Sequence, residues 1–248
     1  MSYFQPVDSD HITGFELAYN SATVLNIGAG DALASDGSRL IIGTGTTINI
    51  ATNGAGGLLS HAAAAEAAHT LYAVWVLEKD DGTQTYGFDT SFSSPTYPTD
   101  YTTSRRIGCW YNNAASDLQR AHQFGRGREQ EHYTMEGLAA AGWYAYAAVG
   151  NAPNIITAPT AVSCPAGSQN VVLKGYFESY GNAAPTSRSG CAGVTNESAL
   201  NINSYSQNVS VYAPFTFRAD GSDQLYIGSM AATTIVIAFR ASGVLDCR

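Results

Sequence analysis

Charge is what this sequence has least of. Asp, Glu, Lys and Arg make up 13% of its 248 residues, about half the usual share, and Lys79 and Lys174 are the only lysines. With a formal net charge of -8, the chain has no clustered basic face to neutralise phosphates, so no nucleic-acid partner is expected. No apolar run reaches the length of a membrane-spanning helix, and membrane insertion is not expected either. The start, MSYFQPVDSD, has neither a basic n-region nor an apolar h-region. The chain is therefore expected to be made in a cytoplasm without a secretory signal and to stay soluble. Four widely spaced cysteines (Cys109, Cys164, Cys191, Cys247) form no C-x-x-C pair, which argues against zinc. Isolated reduced thiols are expected in that compartment, with a Cys164–Cys191 bridge open to a protein that ends up outside cells.

The signatures of catalysis are also missing. There is no G-x-S-x-G, no H-E-x-x-H and no P-loop. GTGTTIN at 43–49 and GAGDA at 28–32 lack the lysine and the following helix that phosphate binding needs, so both read as strand and turn glycines. Asp89, Asp100, Glu136 and Glu178 could supply a carboxylate pair for glycoside hydrolysis, but the sequence cannot pair them. Asp36, Asp80, Asp81, Asp220 and Asp223 fall at turns, where side-chain to backbone hydrogen bonds account for them. His61, Glu66 and His69 flank and punctuate HAAAAEAAH, but histidines eight apart share a helical face poorly, and a short helix or ordered loop at a sheet corner is the expectation. No enzyme activity, metal or cofactor is expected.

What is present is aromatic and β-forming. Fifteen tyrosines and nine phenylalanines accompany short apolar runs separated by Gly, Asn, Asp, Ser and Pro, the pattern of an all-β protein. Strands are expected at 14–18, 24–27, 32–34, 39–42, 46–49, 71–78, 83–89, 106–112 and 119–125. In the second half they are expected at 143–149, 161–163, 170–178, 198–201, 209–218, 224–229 and 233–241. DGS at 36–38, KDDG at 79–82 and ADGSD at 219–223 read as hairpin turns. Intervals are too short for βαβ crossovers. The expected fold is an antiparallel β-sandwich, jelly-roll-like, in two β-rich halves. The charged stretch GRGREQEH at 125–132 reads as the hinge. This gives an N-terminal docking segment at 1–20, a β-sandwich domain at 21–130 and a second β-rich domain at 131–248.

One segment invites a sharper reading. TSRRIGCWYNN at 103–113 sets Arg105 and Arg106 at the head of an apolar strand. Adjacent strand residues point to opposite faces, so the pair cannot jointly clamp one phosphate and reads as a scaffold corner. Upstream lie Tyr72 and Trp75, the turn Asp81-Gly82, Phe88-Asp89-Thr90-Ser91, then Pro95, Pro98 and Tyr101, leading into Arg105-Arg106-Ile107-Gly108. In order and spacing this run, 69–110, resembles a segment of tailed-bacteriophage tail-fibre and related virion fibre proteins. The ending, with Gly243, Asp246 and Arg248, resembles the closing strands of that family. The likeness is looser at 14–50 and faint over 130–208.

The resemblance implies a virion component assembled in the host cytoplasm: a homotrimeric fibre or spike, attached to baseplate, tail tip or capsid proteins. It further implies a host cell-surface glycan as ligand. A capsid-mounted head fibre with a purely structural role and a capsule depolymerase spike are the alternatives. The polar stretch at 179–198 is the expected contact loop, with Tyr180, Asn182, Arg188 and Asn196 facing a ligand; a subunit-packing or mobile loop is the equal alternative. Tyr3, Phe4 and Phe15 in the N-terminal segment are the expected docking residues, able to add as a strand to a partner.

Overall fold

The order of short apolar runs and glycine-bearing turns produces strands throughout. The computed structural model describes residues 11–59, 66–124, 129–134, 144–149, 160–181, 188–193, 200–204, 210–229 and 235–247. Among these the protein is all-β and antiparallel, with one short 3-10 turn at Ser168–Asn170. Two compact units are present. The first comprises Met1–Met135 with Asp246–Arg248, and the second Glu136–Leu245.

The first unit contains β1 (Ile12–Gly14), β2 (Leu17–Tyr19), β3 (Val24–Ile27), β4 (Gly30–Leu33), β5 (Leu40–Gly43) and β6 (Thr46–Asn49). It continues with β7 (Thr70–Lys79), β8 (Gln84–Asp89), β9 (Tyr101–Asn112), β10 (Ala121–Phe124) and β11 (Glu129–Thr134). The first six strands form one meander of three long arms, each broken in the middle. β1, β4 and β5 pair on one side of the break, while β2, β3 and β6 pair on the other and continue through β10 to β11. The breaks fall at Gly14-Phe15, Gly28-Ala29 and Thr44-Gly45.

Glycine makes this fold line feasible. Gly14, Gly30 and Gly43 stand opposite one another across three strands. The ring of Phe15 lies on this ladder: a Cβ added at Gly43 would come within 2.5 Å of its Cε1, and one at Gly30 within 2.8 Å of its Cγ. Gly45 has φ 83°, and a Cβ there would meet the Ile27 carbonyl oxygen at 2.8 Å. A side chain at any of these positions would wedge the bend open. Phe15 itself takes φ 53° and donates its N–H to Ala29 O at 3.1 Å.

The second layer of the sandwich is the sheet β8-β7-β9. Its inner face contributes Tyr72, Val74, Val76, Phe88, Ile107 and Trp110 to one core with Ile12, Phe15, Leu17, Leu25, Ile41 and Ile48 of the meander. Alternation along β7 would leave its other face to solvent, yet Ala73, Trp75 and Leu77 are buried there, beneath Leu59, Phe92 and Tyr101. β7 is thus covered on both sides, and its nearly unbroken apolar sequence, LYAVWVL, follows from that.

The strands of the second unit pair in two antiparallel groups. In one, β14 (Val172–Gly181) lies between β17 (Ser210–Phe217) and β19 (Ile235–Cys247), and β12 (Tyr144–Val149) also pairs with β19. The other runs β13 (Thr160–Ser163), β18 (Gln224–Ser229), β15 (Arg188–Gly193) and β16 (Leu200–Ser204). The 218–224 turn is clasped to the chain at 164–170 by Asp223, whose carboxylate accepts from Gly167 N at 2.9 Å and Gln169 N at 2.8 Å.

Two expectations are corrected. ADGSD makes a tight turn, with Asp223 N on Asp220 O at 3.0 Å, but the strands it joins, β17 and β18, belong to different sheets and form no hairpin. Within the expected hinge, 129–132 is strand β11, paired with β10; residues 125–128 lie outside the described set. Of the docking segment expected over 1–20, residues 1–10 lie outside the described set, and Ile12–Gly14 and Leu17–Tyr19 are strands. Of HAAAAEAAH, residues 61–65 lie outside the described set; 66–69, which lead into β7, are not helical, the loop alternative of that expectation.

Two predictions follow from the packing. Phe15→Ala removes the ring that fills the bend and should cost about 3–5 kcal/mol in urea unfolding; a cost below 1 kcal/mol would remove Phe15 from that role. Cys164 is a free, buried thiol whose pKa is pushed up to about 12, chiefly by burial, with Asp223 and Asp220 adding to it. Since the thiolate is the nucleophile, iodoacetamide at pH 8 should leave Cys164 unmodified in the native protein and label it in urea.

Candidate ligand groove

The arginine pair divides as strand geometry requires. Arg106 stands opposite Trp75 and Arg105 opposite Val76, so they point to opposite faces of the sheet. Arg105 is buried on the inner side, and Arg106 stacks over the Phe92 ring with its guanidinium carbon 5.2 Å from the centroid. Ile107 is the extra residue of a bulge between them and Gly108. Phe92 belongs to the connection between β8 and β9, which is pinned by one buried carboxylate. Asp89 accepts from Ser91 N and Thr96 N, each at 2.8 Å. Trp75 Nε1 donates to Ser91 O at 3.1 Å, and Tyr97 shares a hydrogen bond with Ser104 at 2.7 Å. These residues build a scaffold, as the sequence suggested.

The sandwich has an open seam where the edge of the meander, β5 and β6, faces the edge strand β8. Two bridges close it. At one end Gln84 Nε2 donates to Ile42 O at 2.9 Å and to Glu78 Oε2 at 2.7 Å. At the other, Gly56 sits between the sheets: it accepts from Asn49 N at 2.9 Å and donates to Tyr86 O at 2.9 Å. Between these bridges lies a groove of about 360 Å3.

Its lining follows from edge position. Thr46 and Thr47 are exposed on β6, and Thr44 at the bend; Gln84, Thr85 and Tyr86 come from β8. Asn49 turns its N–H outward to Gly56, so Thr47, two residues earlier, presents its backbone groups to the same side. Gln84 does likewise relative to Tyr86. Ile48 and the Tyr86 ring form an apolar floor. The Tyr86 hydroxyl is buried at the place where a Cβ on Gly43 would come within 2.2 Å, and it makes no hydrogen bond of its own. Burial raises its pKa, with the nearby Gly45 amide pulling the other way. No charged residue lines the groove. The lining can therefore exchange hydrogen bonds with a neutral polar ligand, and it contains no acid–base pair.

None of these six residues was anticipated as a site. The signal was the threonine-rich run at 44–47, which in a lone strand reads as solvated surface. Of the residues that were anticipated, Phe15 is corrected outright: it is fully buried at the bend and offers no docking surface. Tyr3 and Phe4 lie outside the described residues, as do Asn182 and Asn196. Tyr180 is on β14, opposite Ser210 and Val236, and Arg188 is on β15, opposite Ser204. The structure thus places Tyr180 and Arg188 in different sheets. The expected contact loop at 179–198 contains the end of β14 and the whole of β15. His69 shares a hydrogen bond with Tyr111 at 2.7 Å, and no cluster of three or more metal-ligating side chains occurs among the described residues. There too, no helix is long and apolar enough to cross a membrane.

Asp89→Ala should destabilise the protein by about 1.5–3 kcal/mol in urea titration, because two backbone donors lose a buried carboxylate. It should also raise amide exchange over residues 90–100; unchanged exchange there would separate Asp89 from the connection.

In comparisons with known proteins, no family model, curated protein or solved structure matches this chain.

Proposed function

We propose that the chain is a structural and adhesive protein of a tailed bacteriophage or phage-like particle. It acts as a homotrimeric fibre or spike, without catalytic activity, that docks onto other virion proteins and attaches to polysaccharide on the host surface. The observation that carries this reading is the stretch at 69–110. The residues that resemble virion fibre proteins form one piece of structure: three neighbouring strands, the Asp-Gly turn and the connection held by Asp89. The composition supports it, since a weakly charged, aromatic chain suits broad subunit interfaces and contact with sugars. A groove lined by hydroxyl and amide groups favours binding over chemistry.

Light scattering after size exclusion should give three times the chain mass, and fluorescently labelled protein should adsorb to host cells until their surface polysaccharide is stripped. A stable monomer that adsorbs to no cell would overturn the proposal.

A further inference from the structure

Resting on that reading, we propose that the seam groove is a saccharide subsite that takes an uncharged sugar unit and turns away acidic ones. Three features carry this.

The first is the match of functional groups. Thr44, Thr46, Thr47, Gln84 and Thr85 line the groove with hydroxyl, amide and backbone groups, while the Tyr86 hydroxyl lies buried beneath them. A hydroxyl donates and accepts, and so does a sugar hydroxyl, so either orientation of the pair can be satisfied. Gln84 spends its NH2 on Glu78 and Ile42, which leaves its carbonyl oxygen as an acceptor toward the groove. The outward backbone groups of Thr47 and Gln84 add to the polar rim, while Ile48 and Tyr86 supply an apolar floor for C–H groups.

The second is the sign of the charge. Uronate or sialate recognition relies on a cation, commonly a bidentate arginine. The groove's lining has none, and carboxylates stand at its border. Glu78 holds Gln84 in place, and Asp81 lies in the turn beside Gly82. The two cations at this end are committed elsewhere: Arg39 to Glu78 Oε1 at 3.0 Å and to Lys79 O at 2.8 Å, and Lys79 to Asp100 Oδ2 at 3.7 Å and the Tyr101 ring. A carboxylate brought here would lose hydration and meet repulsion, with no cation in the lining to offset either.

The third is access. Gly56 and Gly82 flank the groove, and a Cβ added at either would meet nothing within 4 Å. The volume, about 360 Å3, falls within the range of small-ligand pockets, roughly 300–1,000 Å3.

The test is calorimetric titration of the full chain with two panels: neutral gluco-, galacto- and manno-oligosaccharides, and the same sizes carrying glucuronate or sialate. Amide chemical shifts are followed for the best binder. A neutral oligosaccharide should bind and shift the amides of Thr44–Thr47 and Gln84–Tyr86. Thr46→Trp, at an exposed position that tolerates bulk, should fill the groove and weaken binding at least tenfold without lowering the urea midpoint. Tyr180→Ala and Arg188→Ala should leave affinity unchanged. If an acidic sugar binds best, or if Tyr180→Ala or Arg188→Ala abolishes binding while Thr46→Trp does not, the groove proposal fails and the adhesive function stands. If no member of either panel binds and labelled protein ignores host cells, both fail together.

Discussion

Everything in the first unit depends on the contact between the Phe15 ring and the glycine ladder beneath it. A three-stranded meander is naturally one twisted sheet with a single buried face. Here it must bend sharply so that both of its halves meet the same opposing sheet. Phe15 fills the inside of that bend, and Gly14, Gly30 and Gly43 remove the side chains that would hold it open. The arrangement allows one core to include Ile12 and Ile41 from one side of the fold line and Leu17, Leu25 and Ile48 from the other. The groove depends on it too, because it lies where the third arm turns at Thr44-Gly45.

Much of the fold was legible because strand formation is written locally. The Asp-Gly turn at 81–82 and the Asp-Gly-Ser turn at 36–38 join paired strands as expected, each closed by an aspartate carboxylate accepting from a backbone N–H two residues on. The same chemistry at Asp220 yielded a turn without a hairpin, because turn type is a local property and strand partnership is not. Glycine in GAGDA and GTGTTIN was read as structural, but its purpose, a cross-strand ladder under Phe15, requires knowing which strands are neighbours. Phe15 looked like a docking residue for the same reason, since only the bend buries it. At 179–198, glycine and serine signalled a loop where β15 pairs on both sides. The groove was illegible altogether. Its residues come from three separated segments, and threonine on an edge strand gives no sign of whether it faces solvent or a seam.

The scarcity of charge has a structural counterpart. Apart from Glu78, which pairs with Arg39, several buried polar groups in the first unit are arranged around backbone. Asp89 serves two amides, Trp75 and Trp110 donate to carbonyls, and Asn113 caps the turn at 115–117. Such a network keeps its geometry across ionic strengths that would loosen surface ion pairs.

The two bridges that close the seam also bear on solubility. An exposed strand edge offers unpaired donors and acceptors on which a second chain can add, and extended edges invite aggregation. In this protein the Gln84 side chain occupies the carbonyl of Ile42, and Gly56 occupies Asn49 on one edge and Tyr86 on the other. What remains open between them is interrupted by the bend at Gly45. A neighbouring strand would find no straight run of free backbone to register against, so the seam can admit a small molecule while refusing another β-strand.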